Sequence, residues 1–248
     1  MNTPRGAPVR QLSGTHRLDR YLGNALGINR RDVKPLLAQG RILIDDAPAL
    51  AVDQLVNQFS RIVVDGKSLP SETPVHLQMH KPVGLLSATT DVRHPTVLDQ
   101  LEHPARESLH IVGRLDRNSS GLLLLTNDSR WSQALMAPQN GVAKVYLVGV
   151  AKPLTQVMID AFAAGMHFPF EDITTLPAKL EILDECLARV TLVEGRYHQI
   201  KRMFGRFRNP VLSLHRIAIG SLFLDPDVQP GRWRELSASE AAEAVSAR

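Results

Sequence analysis

Asp116 is the residue whose surroundings in the sequence most strongly suggest chemistry. It lies in a polar segment between Arg114 and Arg117, after the short apolar stretch 110–112 and before the apolar run 122–125. Cationic neighbours favour the charged form of a carboxylate, so we expect Asp116 to be ionised at neutral pH. An ionised aspartate on a rigid scaffold can act as a nucleophile or as a general base. On this segment alone, an aspartate that caps a turn is the commoner explanation.

The wider segment 113–128, GRLDRNSSGLLLLTND, resembles the GRLD signature of pseudouridine synthases, in particular of the RsuA/RluB/RluE/RluF family. The resemblance implies that Asp116 is the catalytic residue. Asn118 and Ser119 stand where Asp-Thr is common in the family, and neither change alters the carboxylate. The resemblance therefore implies an enzyme that isomerises uridine to pseudouridine.

Two further segments carry the same resemblance. KVYLVGV at 144–150 is similar to the family's KxYxV motif, which makes Tyr146 an active-site residue. EGRYHQIKRMF at 194–204 is similar to the third motif, and the residue that pairs with the catalytic carboxylate is then Lys201. Relatives of the RluB, RluE and RluF type usually carry arginine at that place, so the lysine indicates the RsuA branch and a uridine of 16S rRNA.

The mechanism that the resemblance implies starts with a uridine that leaves its stack, because the reacting atoms are otherwise shielded. Asp116 then acts at the ribose as nucleophile or base, and the sequence leaves both possibilities open. The uracil rotates while held against Tyr146. Lys201 keeps Asp116 ionised and oriented, and Arg114 is a further candidate for that role.

Short strands and helices must position these residues. The run 122–125 suits a buried strand, although its periodicity alone does not exclude a buried helical segment. Apolar residues with helical spacing lie within the third motif and just past its end, at Ile200, Met203, Phe204 and Phe207. That spacing leaves Lys201, Arg202 and Arg206 outside the apolar stripe. Arg202 and Arg206 are candidates for contact with RNA phosphate, and exposure to water is the alternative.

Lys81 is another candidate RNA ligand. It begins the turn 81–84, which resembles the family's NKPxG element with His80 in place of asparagine. The sequence leaves open whether its ammonium contacts phosphate or is solvated.

The N-terminal part of the chain predicts a small basic module. A helix from His16 should end at Gly27, and a second helix should either begin near Pro35 or be kinked by it. Strands and hairpin turns follow, at Asp45-Asp46 and Asp65-Gly66. The segment 15–70 resembles an S4 RNA-binding domain. Its clustered cations suit phosphate neutralisation, and they are Arg17, Arg20, Arg30, Arg31, Lys34 and Arg41.

The predicted fold class is α+β. A basic arm at 1–14 precedes a small S4 domain of the α-L type at 15–70, and a linker rich in Pro and Ser occupies 71–75. Residues 76–248 should form a pseudouridine synthase catalytic domain with a mixed, largely antiparallel sheet.

Composition narrows the class of protein. A net charge of +4 and a pI near 9.5 permit a polyanionic partner. The single cysteine, Cys186, excludes an intrachain disulfide and suits a reducing cytoplasm. We expect no membrane span, no metal, no nucleotide and no other cofactor, because apolar runs are short and neither ligand spacing nor a P-loop is present. The expected state is a cytoplasmic monomer that binds rRNA.

Three alternatives stay open at this stage. A non-catalytic RNA-binding or ribosome-assembly protein would carry the same basic cluster, and a synthase acting on 23S rRNA would carry the same motifs. A hydrolase of another glycosyl bond is more distant. An intact set of Asp116, Tyr146 and Lys201 favours an enzyme, because RNA binding alone needs no such carboxylate.

Overall fold

The computed structural model describes residues 15–246, so the predicted basic arm at 1–14 lies outside the described part of the chain. The chain divides into two compact units between Pro74 and Val75. This division falls inside the stretch 71–75 that the sequence predicted as a linker.

The first unit combines two short helices with small antiparallel strands. A four-stranded sheet has the order β3-β2-β5-β6, and β1 pairs separately with β4. The core between helices and strands includes the fully buried Leu18, Leu22 and Ile62. The elements are β1 (His16–Arg17), α1 (Leu18–Leu26), α2 (Val33–Ala38), β2 (Ile42–Ile44), β3 (Ala47–Pro48), β4 (Leu55–Val56), β5 (Ile62–Val64) and β6 (Lys67–Ser68).

Local sequence explains where these elements begin and end. Gly27 ends α1 in the left-handed conformation, with φ 67°. Pro35 lies in the first turn of α2, after a 3-10 turn at Arg30–Asp32, where its missing amide would have had no partner within the helix. The helix therefore begins near Pro35, which decides between the two alternatives. Both predicted hairpin turns are present, with left-handed residues at Asp45 and Asp65.

The second unit is built on a nine-stranded sheet with helices on both faces. The strands of the whole unit, nine in this sheet and two in a separate ribbon, are β7 (His76–Lys81), β8 (His110–Val112), β9 (Ser120–Thr126), β10 (Lys144–Val150), β11 (His167–Phe168), β12 (Ile173–Thr174), β13 (Lys179–Asp184), β14 (Leu187–Leu192), β15 (Val211–Ile219), β16 (Leu222–Phe223) and β17 (Trp233–Glu235). Its helices are α3 (Ser129–Met136), α4 (Gln156–Ala164), α5 (Gln199–Gly205) and α6 (Ala238–Ser246).

The main sheet has the strand order β13-β14-β10-β15-β9-β7-β17, with β16 beside β15 and β8 beside β9. All pairs in it are antiparallel except β15 with β9. The sheet is thus mixed and largely antiparallel, which confirms the predicted fold class for this unit. The ribbon of β11 and β12 is separate.

The apolar run 122–125 is a strand buried on both faces. Leu123 and Leu125 pack into a core with residues of α4 and α5, whereas Leu122 and Leu124 pack into a second core with α3 and α6. Alternate side chains of a strand point to opposite faces, so a strand covered on both sides needs an unbroken apolar run. This is why the segment lacks the usual alternation.

The polar segment 113–119 is the loop that joins β8 to β9. Where the loop ends, Gly121 pairs with Arg216 of β15. A β-carbon at Gly121 would lie 2.2 Å from the Arg216 carbonyl oxygen, and the backbone φ is +106°. Only glycine fits here, because both the close approach and the backbone angle exclude a side chain. This contact brings β15 directly beside the loop that carries Asp116.

Candidate active site

Asp116 lies in a cavity of about 90 Å³ between its loop, the strand β10 and the start of α5. Tyr146 lines the same cavity and is buried on β10, while Leu192, Ile200 and Leu214 supply apolar walls. The cavity therefore combines one carboxylate and one tyrosine with a surface suited to a planar apolar ring.

Each oxygen of the Asp116 carboxylate has a cationic or imidazole partner from α5 or its N-cap. The Lys201 Nζ donates to Asp116 Oδ2 at 2.7 Å. The His198 Nε2 lies 3.3 Å from Asp116 Oδ1. All three side chains are about one-third exposed, so the carboxylate is held in place and still accessible from the cavity.

The helix α5 positions these partners through its buried face. Ile200, Met203 and Phe204 pack into the core, which turns Lys201 toward the Asp116 loop. His198 is the N-cap of the helix and adopts a left-handed conformation with φ 50°. It precedes Lys201 by about one helical turn, so both side chains reach the same carboxylate. His198 was not among the site residues predicted from the sequence.

Lys81 is placed where neither sequence alternative put it. Its side chain is fully buried, and its Nζ donates to three backbone carbonyls: those of Ser119 at 2.8 Å, Pro82 at 3.0 Å and Arg117 at 3.4 Å. The prediction that Lys81 contacts RNA is therefore wrong, because its ammonium has no exposed surface. It holds the Asp116 loop from inside the protein.

Arg216 holds the other end of the same loop. Its buried guanidinium donates to the carbonyl of Leu122 at 2.8 Å, Gly113 at 3.3 Å and Arg114 at 3.5 Å. In the middle of the loop, the Ser87 hydroxyl donates to the Leu115 carbonyl at 2.8 Å. The backbone on either side of Asp116 is thus fixed by side chains from distant parts of the chain. The sequence analysis did not identify Arg216 as part of the site.

Burial and like charge both act on the lysines near this loop. Burial lowers the pKa of Lys81 to about 8, the negative charge of Asp116 partly opposes that change, and Arg216 adds to it. Burial also lowers the pKa of Lys144 on β10, again with a contribution from Arg216. The loop therefore rests on buried basic side chains whose proton affinity is reduced by burial and by their mutual repulsion.

Known proteins resemble this chain in sequence and in fold. A family model described as RNA pseudouridylate synthase matches residues 75–205. A ribosomal small subunit pseudouridine synthase A from Pseudomonas aeruginosa is 49% identical over 90% of this chain and 98% of its own length. The protein of that name from Escherichia coli K12 is 36% identical over 92% of this chain and its full length. A crystal structure of a pseudouridylate synthase covers 92% of this chain and 99% of its own, with 33% identity and a TM-score of 0.68.

The chain belongs to the RNA pseudouridylate synthase family. It is an enzyme that isomerises uridine to pseudouridine, which confirms the interpretation drawn from the sequence motifs.

The structure of this pseudouridylate synthase brings Asp116, Tyr146 and Lys201 together in one cavity. Arg114 also lines the cavity, but its side chain is exposed, and the ion partner of Asp116 besides Lys201 is His198. Arg117 donates to the Gly84 carbonyl at 3.2 Å. The side chains that contact the carboxylate therefore come from α5 and its N-cap rather than from its neighbours in sequence.

The candidate RNA ligands of the synthase fall into two groups. In the first, the side chain already has an acidic partner: Arg17 and Arg30 pair with Asp19, Arg41 pairs with Asp65, and Arg202 pairs with Glu171. Arg202 also lies over the Phe168 ring, at 4.2 Å from its centroid. In the second group the side chains are exposed, and no ion pair among residues 15–246 involves them; these are Arg20, Arg31, Lys34 and Arg206.

Clusters of metal ligands and membrane-spanning helices are both absent from the described part of the synthase. Within residues 15–246, no group of three or more His, Cys, Asp or Glu side chains is placed to hold a metal ion. None of the helices described there is both long and apolar enough to cross a membrane.

Proposed function

We propose that the enzyme converts a uridine of 16S rRNA in the small ribosomal subunit to pseudouridine, with Asp116 as the group that acts on the ribose. The observation that carries the proposal is the Asp116 carboxylate held by Lys201 at 2.7 Å in a cavity that also contains Tyr146. The choice of small-subunit rRNA rests on relatives named ribosomal small subunit pseudouridine synthase A, at up to 49% identity among those compared.

The chemistry follows from what each residue can reach. The target uridine leaves its stack and enters the cavity, because the ribose is otherwise shielded. Asp116 then either bonds to C1′ or removes the C2′ proton, and in both routes the bond between N1 and C1′ breaks. The uracil turns, and its C5 bonds to C1′. In the first route the bond between Asp116 and C1′ breaks as the new bond forms, and in the second Asp116 returns the proton to C2′. The C5 proton leaves to the solvent, while N1 gains a proton.

Tyr146 and Lys201 support these steps in different ways. The Tyr146 ring lies along the cavity wall and offers a flat surface against which the uracil turns. The Lys201 ammonium stabilises the negative charge of Asp116 and fixes the direction of its oxygens. The rate of such a reaction depends on the orientation of the reacting groups, so a fixed carboxylate accelerates it more than a mobile one.

The first unit is proposed to be an S4 domain that binds rRNA backbone. Arg20, Arg31 and Lys34 are exposed there, and Arg206 is exposed on the catalytic unit. Exposed cations neutralise phosphates with release of counterions. Arg17, Arg30, Arg41 and Arg202 are weaker candidates because each must first give up an acidic partner. A monomer that acts on rRNA or an assembling small-subunit particle in the cytoplasm completes the proposal.

Release of tritium from C5 of uridine tests the reaction directly. A 16S transcript and a small-subunit particle labelled at C5 are incubated with the wild-type enzyme and with Asp116→Asn. We expect release from the wild type and none from the variant, because asparagine is nearly isosteric but carries no charge. RNA affinity should stay within about threefold, since the change removes no phosphate contact.

Two results would contradict the proposal. Tritium release by Asp116→Asn at the wild-type rate would show that Asp116 is not the reacting group. Release from 23S rRNA but not from 16S rRNA would leave the activity in place and reassign the substrate.

A further inference from the structure

Tyr197 is an exposed aromatic residue beside the cavity that the proposed reaction does not use. Its side chain is 77% exposed, in a chain whose aromatic content is only 5%. Its neighbours Arg196 and His198 both line the cavity. A tyrosine ring placed in water at the entrance of an RNA-modifying site offers a flat apolar surface to whatever approaches.

The ring of Tyr197 is backed by the ring of His198. The two centroids are 3.9 Å apart, and the planes differ by 21°. His198 in turn lies 3.3 Å from Asp116 Oδ1, and its backbone has a left-handed φ of 50°. Within this stack, His198 contacts Asp116 on one side and the Tyr197 ring on the other. The Tyr197 ring remains largely exposed to solvent.

The segment that presents this stack is held by a polar network. Glu194 accepts hydrogen bonds from the backbone of Leu176 at 2.8 Å, from the Gln199 amide at 2.5 Å and from Arg196 Nε at 2.9 Å. The Arg196 backbone amide donates to the Gln199 side chain at 3.0 Å. Because the segment is already ordered, a ligand that stacks on Tyr197 loses little free energy to ordering the protein.

An RNA strand that places a uridine in the cavity leaves the neighbouring base in need of a new stacking partner. When the target base leaves the stack, its neighbour loses a stacking partner on one side. Aromatic side chains commonly receive such bases in single-stranded or distorted RNA, and the interaction accepts any base because every base has a π face. This contact uses the face of the Tyr197 ring and does not depend on its hydroxyl group.

We propose that the exposed face of Tyr197 stacks on the nucleobase next to the target uridine, so that the Tyr197–His198 pair is the docking platform of the active-site cavity. The inference rests on the proposed function, because it takes the ligand to be the RNA strand that carries the target.

Substitution of the ring tests the platform. The affinity of the full-length enzyme for a 16S transcript is measured with Tyr197→Ala and Tyr197→Phe, beside tritium release at several RNA concentrations. We expect Tyr197→Ala to raise the Kd and KM about 10-fold, since stacking of one base on an aromatic ring is of that size. The kcat should stay within about threefold, because the contact holds substrate and transition state equally. Tyr197→Phe should behave like the wild type.

Phe223→Ala is the matched control. Phe223 is also a largely exposed aromatic residue, at 67%, but it lines a different cavity. Its removal should leave RNA affinity unchanged. The proposal is overturned if Tyr197→Ala binds RNA like the wild type, if Tyr197→Phe is weakened as much as Tyr197→Ala, or if Phe223→Ala is weakened equally. Thermal melting of each variant verifies that the fold is intact.

Different measurements would contradict the proposed function and the docking platform. A wild-type enzyme that releases no tritium contradicts the proposed function, whereas the affinity comparison still decides the role of Tyr197. An active wild type with unchanged RNA affinity in Tyr197→Ala contradicts the docking platform alone.

Discussion

Positive charge is arranged differently in the two units of this chain. In the first unit, arginines such as Arg31 and Arg41 lie on the surface, and several of them pair with carboxylates, either the exposed Asp65 or the buried Asp19. In the second unit, Lys81 and Arg216 are buried and donate to the backbone carbonyls of one loop. Lys201 is intermediate, since it is partly exposed and paired with Asp116.

The difference follows from the solvent around each charge. A surface cation is screened by water and salt, so it contributes little to folding but can still attract a polyanion. A buried cation loses its hydration and is tolerated only where several oxygens replace the lost water. Lys81 and Arg216 obtain those oxygens from the Asp116 loop, and the loop gains a fixed shape in return. Variants of each kind of cation test this difference in role.

The largest effect is expected at Lys201, where the charge touches Asp116, the group proposed to react. Lys201→Met should lower kcat about 100-fold, because a positioned charge beside a reacting group is worth several kcal/mol. Lys201→Arg should retain most of the activity, since it keeps a cation at Asp116. The measurement is tritium release at saturating RNA. Equal losses in the two variants would mean that the shape of lysine, rather than its charge, is required.

Lys81→Met should destabilise the fold by about 2 kcal/mol at pH 7, because buried carbonyls of Ser119, Pro82 and Arg117 lose their donor. Urea denaturation gives the free energy of unfolding. Lys152→Met, at an exposed position, is the control and should change it by less than about 0.5 kcal/mol. A stability equal to or above that of the wild type would show that burying the ammonium costs more than its hydrogen bonds return.

The stability difference between wild type and Lys81→Met should also depend on pH. The folded-state pKa of Lys81 is about 8, below its ordinary 10.5, so between these values the unfolded chain binds more protons at this site. The wild type should therefore gain stability relative to the variant as pH rises from 8 to 10, by up to about 1.4 kcal/mol per pH unit. A flat difference over this range would place the pKa of Lys81 near its ordinary value.

The smallest effect is expected on the surface of the first unit. Arg31→Gln should weaken RNA binding several-fold and lower the slope of log affinity against log salt by about 1, as for the loss of one phosphate contact. Arg41→Gln should have a smaller effect, because Asp65 already neutralises its guanidinium. Filter binding at several salt concentrations measures both slopes. An equal or larger loss in Arg41→Gln would mean that the pair with Asp65 opens on RNA.

Local sequence was informative wherever a feature depends on residues close together in the chain. Gly27 ends α1, and the spacing of Ile200 and Phe204 forms the buried face of α5. Each of these follows from backbone conformation or helical periodicity over a few residues. The motif around Asp116 and the place of Lys201 were found for the same reason, as short contiguous patterns.

The sequence by itself thus determined the family, the class of reaction and the element types of both units. Only the tertiary structure decided which side chains other than Lys201 hold Asp116 and its loop. Arg216 reaches the loop because β15 lies parallel to β9 at Gly121, and Lys81 reaches it because β7 lies on the other edge of β9. His198 reaches it through the fold of α5 onto the core. These contacts join backbone carbonyls or a carboxylate to residues far away in the chain, and neither composition nor spacing encodes such pairings.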